Sequence, residues 1–330
     1  MDGLCWRITD LYIWFGRIRP LGLKKGDGME TAAVVEDIIL DIQGRTLFHK
    51  YNKNDGSELL TVINLPHRMK QFSWGILYLY LRSFKRESIT PASIEAAANI
   101  ELLCLASKIM DDVLDGDNVE LEEYIGRSNA IILITDLMFE SLKNLHDLSP
   151  GEEGYGYLQS ALSGEWVDVN RTVLDGMSEK LYYNEILPKT VGVLKYVAAV
   201  ADVDRKVFWE EFFTHAGIAL QIGNDLHAVF DERKSDIARL KPTLPLLKAM
   251  DHADESKRAE LKALYASFAE GRCSMEEVKK AIIESGALEY CILIREMCKE
   301  TCTRMLLVHF PEDRVLVHEF LTYLRLAGES

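Results

Sequence analysis

No stretch of this chain approaches the roughly 18 consecutive apolar residues that a membrane-spanning helix needs. Lys195 interrupts the apolar run at 191–203, and Thr135 and Asp136 end the one at 131–134. A cleavable leader is not expected either, because Asp2 and Asp10 flank the short apolar segment at the amino terminus. Positive charge is also in deficit. Lys and Arg number 38 against 52 Asp and Glu, a net charge of −14, which repels nucleic acid and acidic membranes at long range. An anionic ligand would therefore need a local cationic device, and metal ions are one such device. Cysteine is sparse: six residues, no CxxC pair and no histidine at zinc-finger spacing. Cys291, Cys298 and Cys302 fall seven and four apart, on one face of a helix, so thiols on a core face are expected rather than redox or zinc chemistry. These absences point to a cytoplasmic protein with no membrane span and no nucleic-acid partner.

What remains is helix. From residue 29 on, apolar residues recur at three- and four-residue intervals, strand-like alternation is scarce, and eight prolines are spread thinly. The fold class is all-α, with helices expected at 30–50, 68–85, 91–115, 127–146, 152–171, 178–202, 204–231, 243–269, 274–307 and 312–326. With 48% hydrophobic residues the chain can bury a large core. Turn chemistry breaks it at Asn54-Asp55-Gly56-Ser57, at Ser149-Pro150-Gly151, at Asp175-Gly176 and at Pro242, none of them a long linker. Residues 29–330 are thus expected as one domain. Residues 1–28 mix Trp6, Tyr12, Trp14 and Phe15 with five basic residues and end in Gly26-Asp27-Gly28. They read as a poorly ordered or non-native extension, with a membrane-surface or lid helix as the alternative and Met29 as the expected biological start.

The helix expected at 93–115 is strongly apolar and ends in acids. Pro91, after Thr90 as cap, suits its first turn, and Gly116 its stop. Asp111 and Asp115 are four apart, so their side chains share a face, about 5–6 Å apart at Cβ, with Asp112 beside them. The carboxyl end of a helix is already negative, so acids placed there call for counter-cations. Hard oxygen ligands of this kind suit Mg²⁺ bridged to substrate phosphate. The bland alternative is a solvated acidic loop, against which the apolar helix in front of the acids argues.

A second apolar helix, rich in small residues, ends in Gln221, Asn224 and Asp225, with Gln221 and Asp225 on one face. Lys234, Asp236 and Lys241 follow. Asp168 and the pair Lys189 and Thr190 lie upstream on two further helices, although Lys189 taken singly reads as a surface lysine. Ser107 and Leu103 lie one and two turns before Asp111 beside Ala106, placed either to line a tunnel below the acids or simply to pack.

These segments resemble the trans-prenyltransferase superfamily, and within it the ComQ family, which isoprenylates a tryptophan of the ComX pheromone peptide. The resemblance runs from about residue 60 to the end. It rests on Ile100-Glu101-Leu102-Leu103, Ser107, Ile109-Met110-Asp111-Asp112, Asp115 and Asp117-Asn118, then on Lys234-Ser235-Asp236-Ile237, Lys241, Thr243-Leu244, Glu284-Ser285-Gly286-Ala287 and Tyr290. It implies an isoprenoid-synthase-like helical bundle around a central active-site cavity. It also implies about three Mg²⁺ ions held by Asp111, Asp112, Asp115, Asn224 and Asp225, and substrate contacts from Asp168, Lys189, Thr190, Gln221, Lys234 and Lys241. Homodimers through apolar helices, here the stretch at 131–139, are implied as well.

The departures from the superfamily pattern bear on the acceptor. Chain-elongating synthases hold a second, homoallylic diphosphate with a Gly-Lys-Arg signature before the first aspartates and paired arginines after them. Here those stretches offer Arg68 and Lys70, with His67, and then Glu120, Glu122 and Glu123. The resemblance therefore implies an allylic prenyl diphosphate donor, geranyl or farnesyl, and an acceptor without a diphosphate, such as a peptide tryptophan. A prenyl diphosphate synthase with an altered second site, a class I terpene synthase and a non-catalytic partner subunit stay open at this point.

Overall fold

The computed structural model describes residues 31–51, 56–116, 119–148, 151–230, 236–251 and 253–327. The extension 1–28, Met29, Asp117, Asn118 and Lys234 lie outside them. Among the described residues there is no strand, and no helix is long and apolar enough to cross a membrane. The helices of eight residues or more are α1 (Thr31–Gln43), α2 (Trp74–Ser83), α3 (Pro91–Leu114), α4 (Arg127–Asn144), α5 (Glu152–Asn170), α6 (Pro188–Ala201), α7 (Lys206–Phe230), α8 (Leu244–Asp251), α9 (Glu255–Ala269), α10 (Met275–Glu284), α11 (Ala287–His309) and α12 (Arg314–Tyr323).

The chain forms two compact units. The first takes the described residues of Met1–Pro150, Val197–Lys206 and Glu312–Arg325; the second those of Gly151–Tyr196, Val207–Pro311 and Leu326–Ser330. In the first, α3 is the central element and α1, α2 and α4 pack on it. Thr90 and Ser93 form a reciprocal capping box at its start, with Pro91 in the first turn. Seven consecutive α2 residues, Gly75 to Leu81, are buried, as befits a helix apolar all round. Gly75 lets α2 approach closely, since a Cβ there would lie 2.6 Å from the Ala97 carbonyl oxygen.

In the second unit the same device joins α5 to the start of α6. A Cβ on Gly164 would sit 2.5 Å from the Lys189 nitrogen, and one on Gly192 would sit 2.4 Å from the Tyr157 oxygen. Side chains such as Ile222, Leu226, Leu247, Tyr265, Ile282 and Cys291 close the core of this unit. Cys291, Cys298 and Cys302 are buried with it, and burial pushes their thiols up.

The expected long helices are broken where local caps outweigh continuous periodicity. The stretch at 68–85 starts earlier, at Leu65, and divides at Ser73, whose hydroxyl accepts from the Ile76 nitrogen. The one at 243–269 divides before Asp254, which caps α9, and the one at 274–307 divides at Gly286 with φ +77°. The stretch at 30–50 divides after Gln43, and Arg45 turns its guanidinium onto Asp41 and Asn99. The stretch at 178–202 contains a π-helical turn, Tyr182–Ile186, ahead of Pro188. An apolar period repeated on both sides of a cap cannot distinguish one helix from two on the same core.

Candidate functional site

The acids of the first unit occupy the last turn of α3. Lys108, one turn earlier, donates from Nζ to Asp111 Oδ2 at 2.5 Å and lies 2.8 Å from Asp112 Oδ1. Arg68 reaches Asp112 Oδ2 with Nη2 at 3.0 Å, while its Nε donates to the Ile63 carbonyl at 2.9 Å. Both oxygens of Asp112 are thus met by cations. Burial alone would lower the Lys108 ammonium, but the charges and hydrogen bonds of Asp111 and Asp112 outweigh it and raise it. The carboxylates are still 25% and 13% exposed, so an incoming ion can reach them. Asp115 is the buried C-cap, its nitrogen bonded to the Asp111 carbonyl, and Gly116 takes the left-handed turn at φ +63°. Three carboxylates within five residues, two of them partly open, are a donor set that fits a hard divalent cation.

The rest of the first-unit set is mixed. Leu103 is buried in the core, and the Ser107 hydroxyl donates back to the Leu103 carbonyl at 3.2 Å. Lys70 and His67 are exposed. The helix Val119–Ile125 that follows the acids carries Glu120, Glu122 and Glu123.

The second unit gathers its residues into two linked groups. In one, Asp168 on α5 holds two lysines on a single oxygen, Lys189 Nζ at 2.6 Å and Lys241 Nζ at 2.9 Å, all three nearly buried. Burial would push the Asp168 carboxyl up, but the two ammonium charges hold it below its usual range. Glu165 and Asp236 lie 3.8 Å from Lys189 and Lys241 respectively. In the other group the Thr190 hydroxyl donates to Gln221 Oε1 at 2.6 Å, and Gln221 Nε2 donates to Asp225 Oδ1 at 2.9 Å. Asp225 Oδ2 accepts from the Tyr182 hydroxyl at 2.8 Å and from the Leu244 nitrogen at 2.9 Å.

Asp225, expected as a ligand, is therefore enclosed by three neutral donors and 3% exposed, and burial raises its carboxyl to about 6. Asn224 beside it is the exposed member of the pair.

Several participants are absent from the expected set. Lys108 carries a signal the sequence does contain, its three- and four-residue spacing to Asp111 and Asp112. Tyr182 carries none, because its hydroxyl meets Asp225 from 43 positions away. Gly164 is a third: only a residue without Cβ lets α5 approach the Lys189 backbone, which brings Asp168 within reach of that lysine.

A sequence model of the polyprenyl synthetase family matches residues 70–284, more than half of the chain. The chain is 26% identical over 261 residues to the tryptophan prenyltransferase ComQ of Bacillus spizizenii, over 73% of this chain and 90% of that protein. It is 25% identical over 218 residues to the tryptophan prenyltransferase ComQ of Bacillus subtilis, over 62% of this chain and 71% of that protein. Among solved structures it resembles a decaprenyl diphosphate synthase from Rhodobacter capsulatus, with a TM-score of 0.71 at 18% identity, over 90% of this chain and 98% of that one. The last likeness concerns the all-helical fold.

Proposed function

Since this chain belongs to the polyprenyl synthetase family and is a prenyltransferase, we propose that it ionises geranyl or farnesyl diphosphate and passes the prenyl group to a peptide tryptophan. The observation that carries the choice of acceptor is the charge around the α3 acids. Arg68 is committed to Asp112, and the helix after the acids presents Glu120, Glu122 and Glu123, so a second diphosphate would meet carboxylates. An indole, being neutral, does not need cations. The similarity to the tryptophan prenyltransferases supports the same acceptor.

Asp111, Asp112 and Asp115 are assigned to hold Mg²⁺, which when bound would neutralise the diphosphate and make it a leaving group, and the amide oxygen of Asn224 is separately assigned as a metal ligand. The remaining roles belong to side chains. Asp168 holds Lys189 and Lys241 as a cationic pair for diphosphate oxygens, with Lys234 assigned the same task. Asp225 is assigned to positioning: through Gln221 and Thr190 it fixes the residue next to Lys189. Ser107 is assigned to the prenyl chain, with buried Leu103 behind it, and exposed Lys70 to the acceptor's approach. The apolar side chains that α4 leaves exposed, Ile131, Ile132 and Phe139, support a homodimer, and we place the enzyme in the cytoplasm.

The test is incubation with Mg²⁺ and radiolabelled geranyl or farnesyl diphosphate, alone, with isopentenyl diphosphate, or with a tryptophan-containing peptide. Labelled peptide is the expected product. Longer diphosphates would replace this reading with a synthase, hydrocarbons with a terpene cyclase, and no turnover in any arm with a non-catalytic subunit.

A further inference from the structure

Lys108 sits where a metal ion would be expected to sit. Its Nζ is 2.5 Å from Asp111 Oδ2 and 2.8 Å from Asp112 Oδ1, and the other oxygen of Asp112 is taken by Arg68 at 3.0 Å. Pairing along the helix accounts for this placement only in part. A lysine one turn before acids at the carboxyl end of a helix is the reverse of the order that the helix dipole favours. Nor is Lys108 fixed by burial, since its side chain is 45% exposed and can swing away.

An ammonium and a divalent ion cannot occupy the same notch. Each needs to lie within hydrogen-bonding or coordination distance of the same two oxygens, about 2.1 Å for Mg²⁺, and at such separations their charges repel strongly. Metal entry therefore requires Lys108 to leave, and a released ammonium is drawn to any anion within its reach. In a chain reading diphosphate, the substrate supplies one.

We propose that Lys108 is a tethered counter-cation that keeps the divalent ion off Asp111 and Asp112 until a diphosphate arrives to take over the lysine. This rests on the diphosphate reading above and adds an order to it: metal binds weakly to the free chain and tightly together with the substrate. Lys108 is then a positioning residue for the ion and, once released, a contact for the diphosphate.

The measurement is Mn²⁺ binding to the full, metal-free chain, by calorimetry or by electron paramagnetic resonance of free Mn²⁺, with and without inorganic pyrophosphate. The wild type is compared with Lys108→Gln and Lys108→Arg. Without pyrophosphate, Lys108→Gln is expected to bind Mn²⁺ on the order of tenfold more tightly than the wild type, and Lys108→Arg, which keeps the charge, is expected to resemble the wild type. With pyrophosphate the advantage of Lys108→Gln should shrink or vanish, because the released lysine is no longer there to help hold the anion. Equal or weaker Mn²⁺ binding by Lys108→Gln, while pyrophosphate still enhances binding, overturns the role of Lys108 and leaves the diphosphate reading standing. No saturable Mn²⁺ on any of the three proteins, with or without pyrophosphate, overturns both.

Discussion

Two apolar helices of this chain carry acids near their carboxyl ends and treat them in opposite ways. At the end of α3, Asp111 and Asp112 remain partly exposed and are balanced by full charges, Lys108 and Arg68. Near the end of α7, Asp225 is enclosed and balanced by dipoles, the Tyr182 hydroxyl, the Gln221 amide and the Leu244 nitrogen. Charges on flexible side chains can be exchanged for other charges at little cost in packing. Buried neutral donors cannot be removed without leaving orphans. On the proposed reading, the difference separates a place where ions exchange from a place that holds neighbouring residues still.

The largest effect should come from the open end. Asp111→Ala is expected to lower prenyl transfer by at least about a hundredfold while changing unfolding free energy by less than about 1 kcal/mol. Radiolabelled turnover and urea unfolding on the same preparation measure both. A large loss of stability alongside the loss of turnover would mean that the acids of α3 are as structural as Asp225, and the contrast would fail.

The closed end should show the opposite signature. Asp225→Ala leaves the Tyr182 hydroxyl, the Leu244 nitrogen and the Gln221 amide without an acceptor, which costs roughly 2–3 kcal/mol of stability. Asp225→Asn is the sharper variant. Its oxygen can still accept from Tyr182 and Leu244, and Gln221 can turn its amide over to accept from the new NH₂ while donating to the Thr190 hydroxyl. Near wild-type stability for Asp225→Asn, read by urea unfolding, is the expected result. A loss as large as that of Asp225→Ala would show that the site needs the carboxylate charge.

How much of this was legible in the sequence depends on how far apart the partners are. The all-helical class, the α3 acids and the shared face of Gln221 and Asp225 are local patterns, visible as spacing. Lys108 was equally local. Its three- and four-residue spacing to Asp111 and Asp112 is its only local signal. Arg68 was expected at a substrate, yet its guanidinium crosses 44 positions to Asp112, and no spacing encodes that. The enclosure of Asp225 is likewise made by Tyr182 and by a backbone nitrogen on another helix. Charge sequence alone shows that an acid exists, and only the fold shows whether charges or dipoles surround it.

Glu101 tests whether the contrast belongs to depth along a helix or to the unit. It lies on α3 itself, ten positions before Asp111, and is enclosed like Asp225: Oε2 accepts from the Ser73 hydroxyl at 2.7 Å and from the Gly75 nitrogen at 2.9 Å. The same Ser73 is clasped by Tyr323 of α12, whose hydroxyl accepts from its nitrogen and donates to its carbonyl. Burial raises the Glu101 carboxyl from 4.5 to about 7. A carboxyl raised in the folded state is stabilised in its neutral form, so its contribution is complete below pH 4.5 and is lost as pH rises to about 7. Glu101→Gln keeps an oxygen for the two donors and carries no charge at any pH. Its unfolding free energy should therefore lack that decline and exceed the wild-type value at pH 8 by about 1 kcal/mol or more. Parallel pH profiles for the two proteins in urea would show instead that Glu101 stays charged within its cage. Enclosure would then not imply neutrality on this helix.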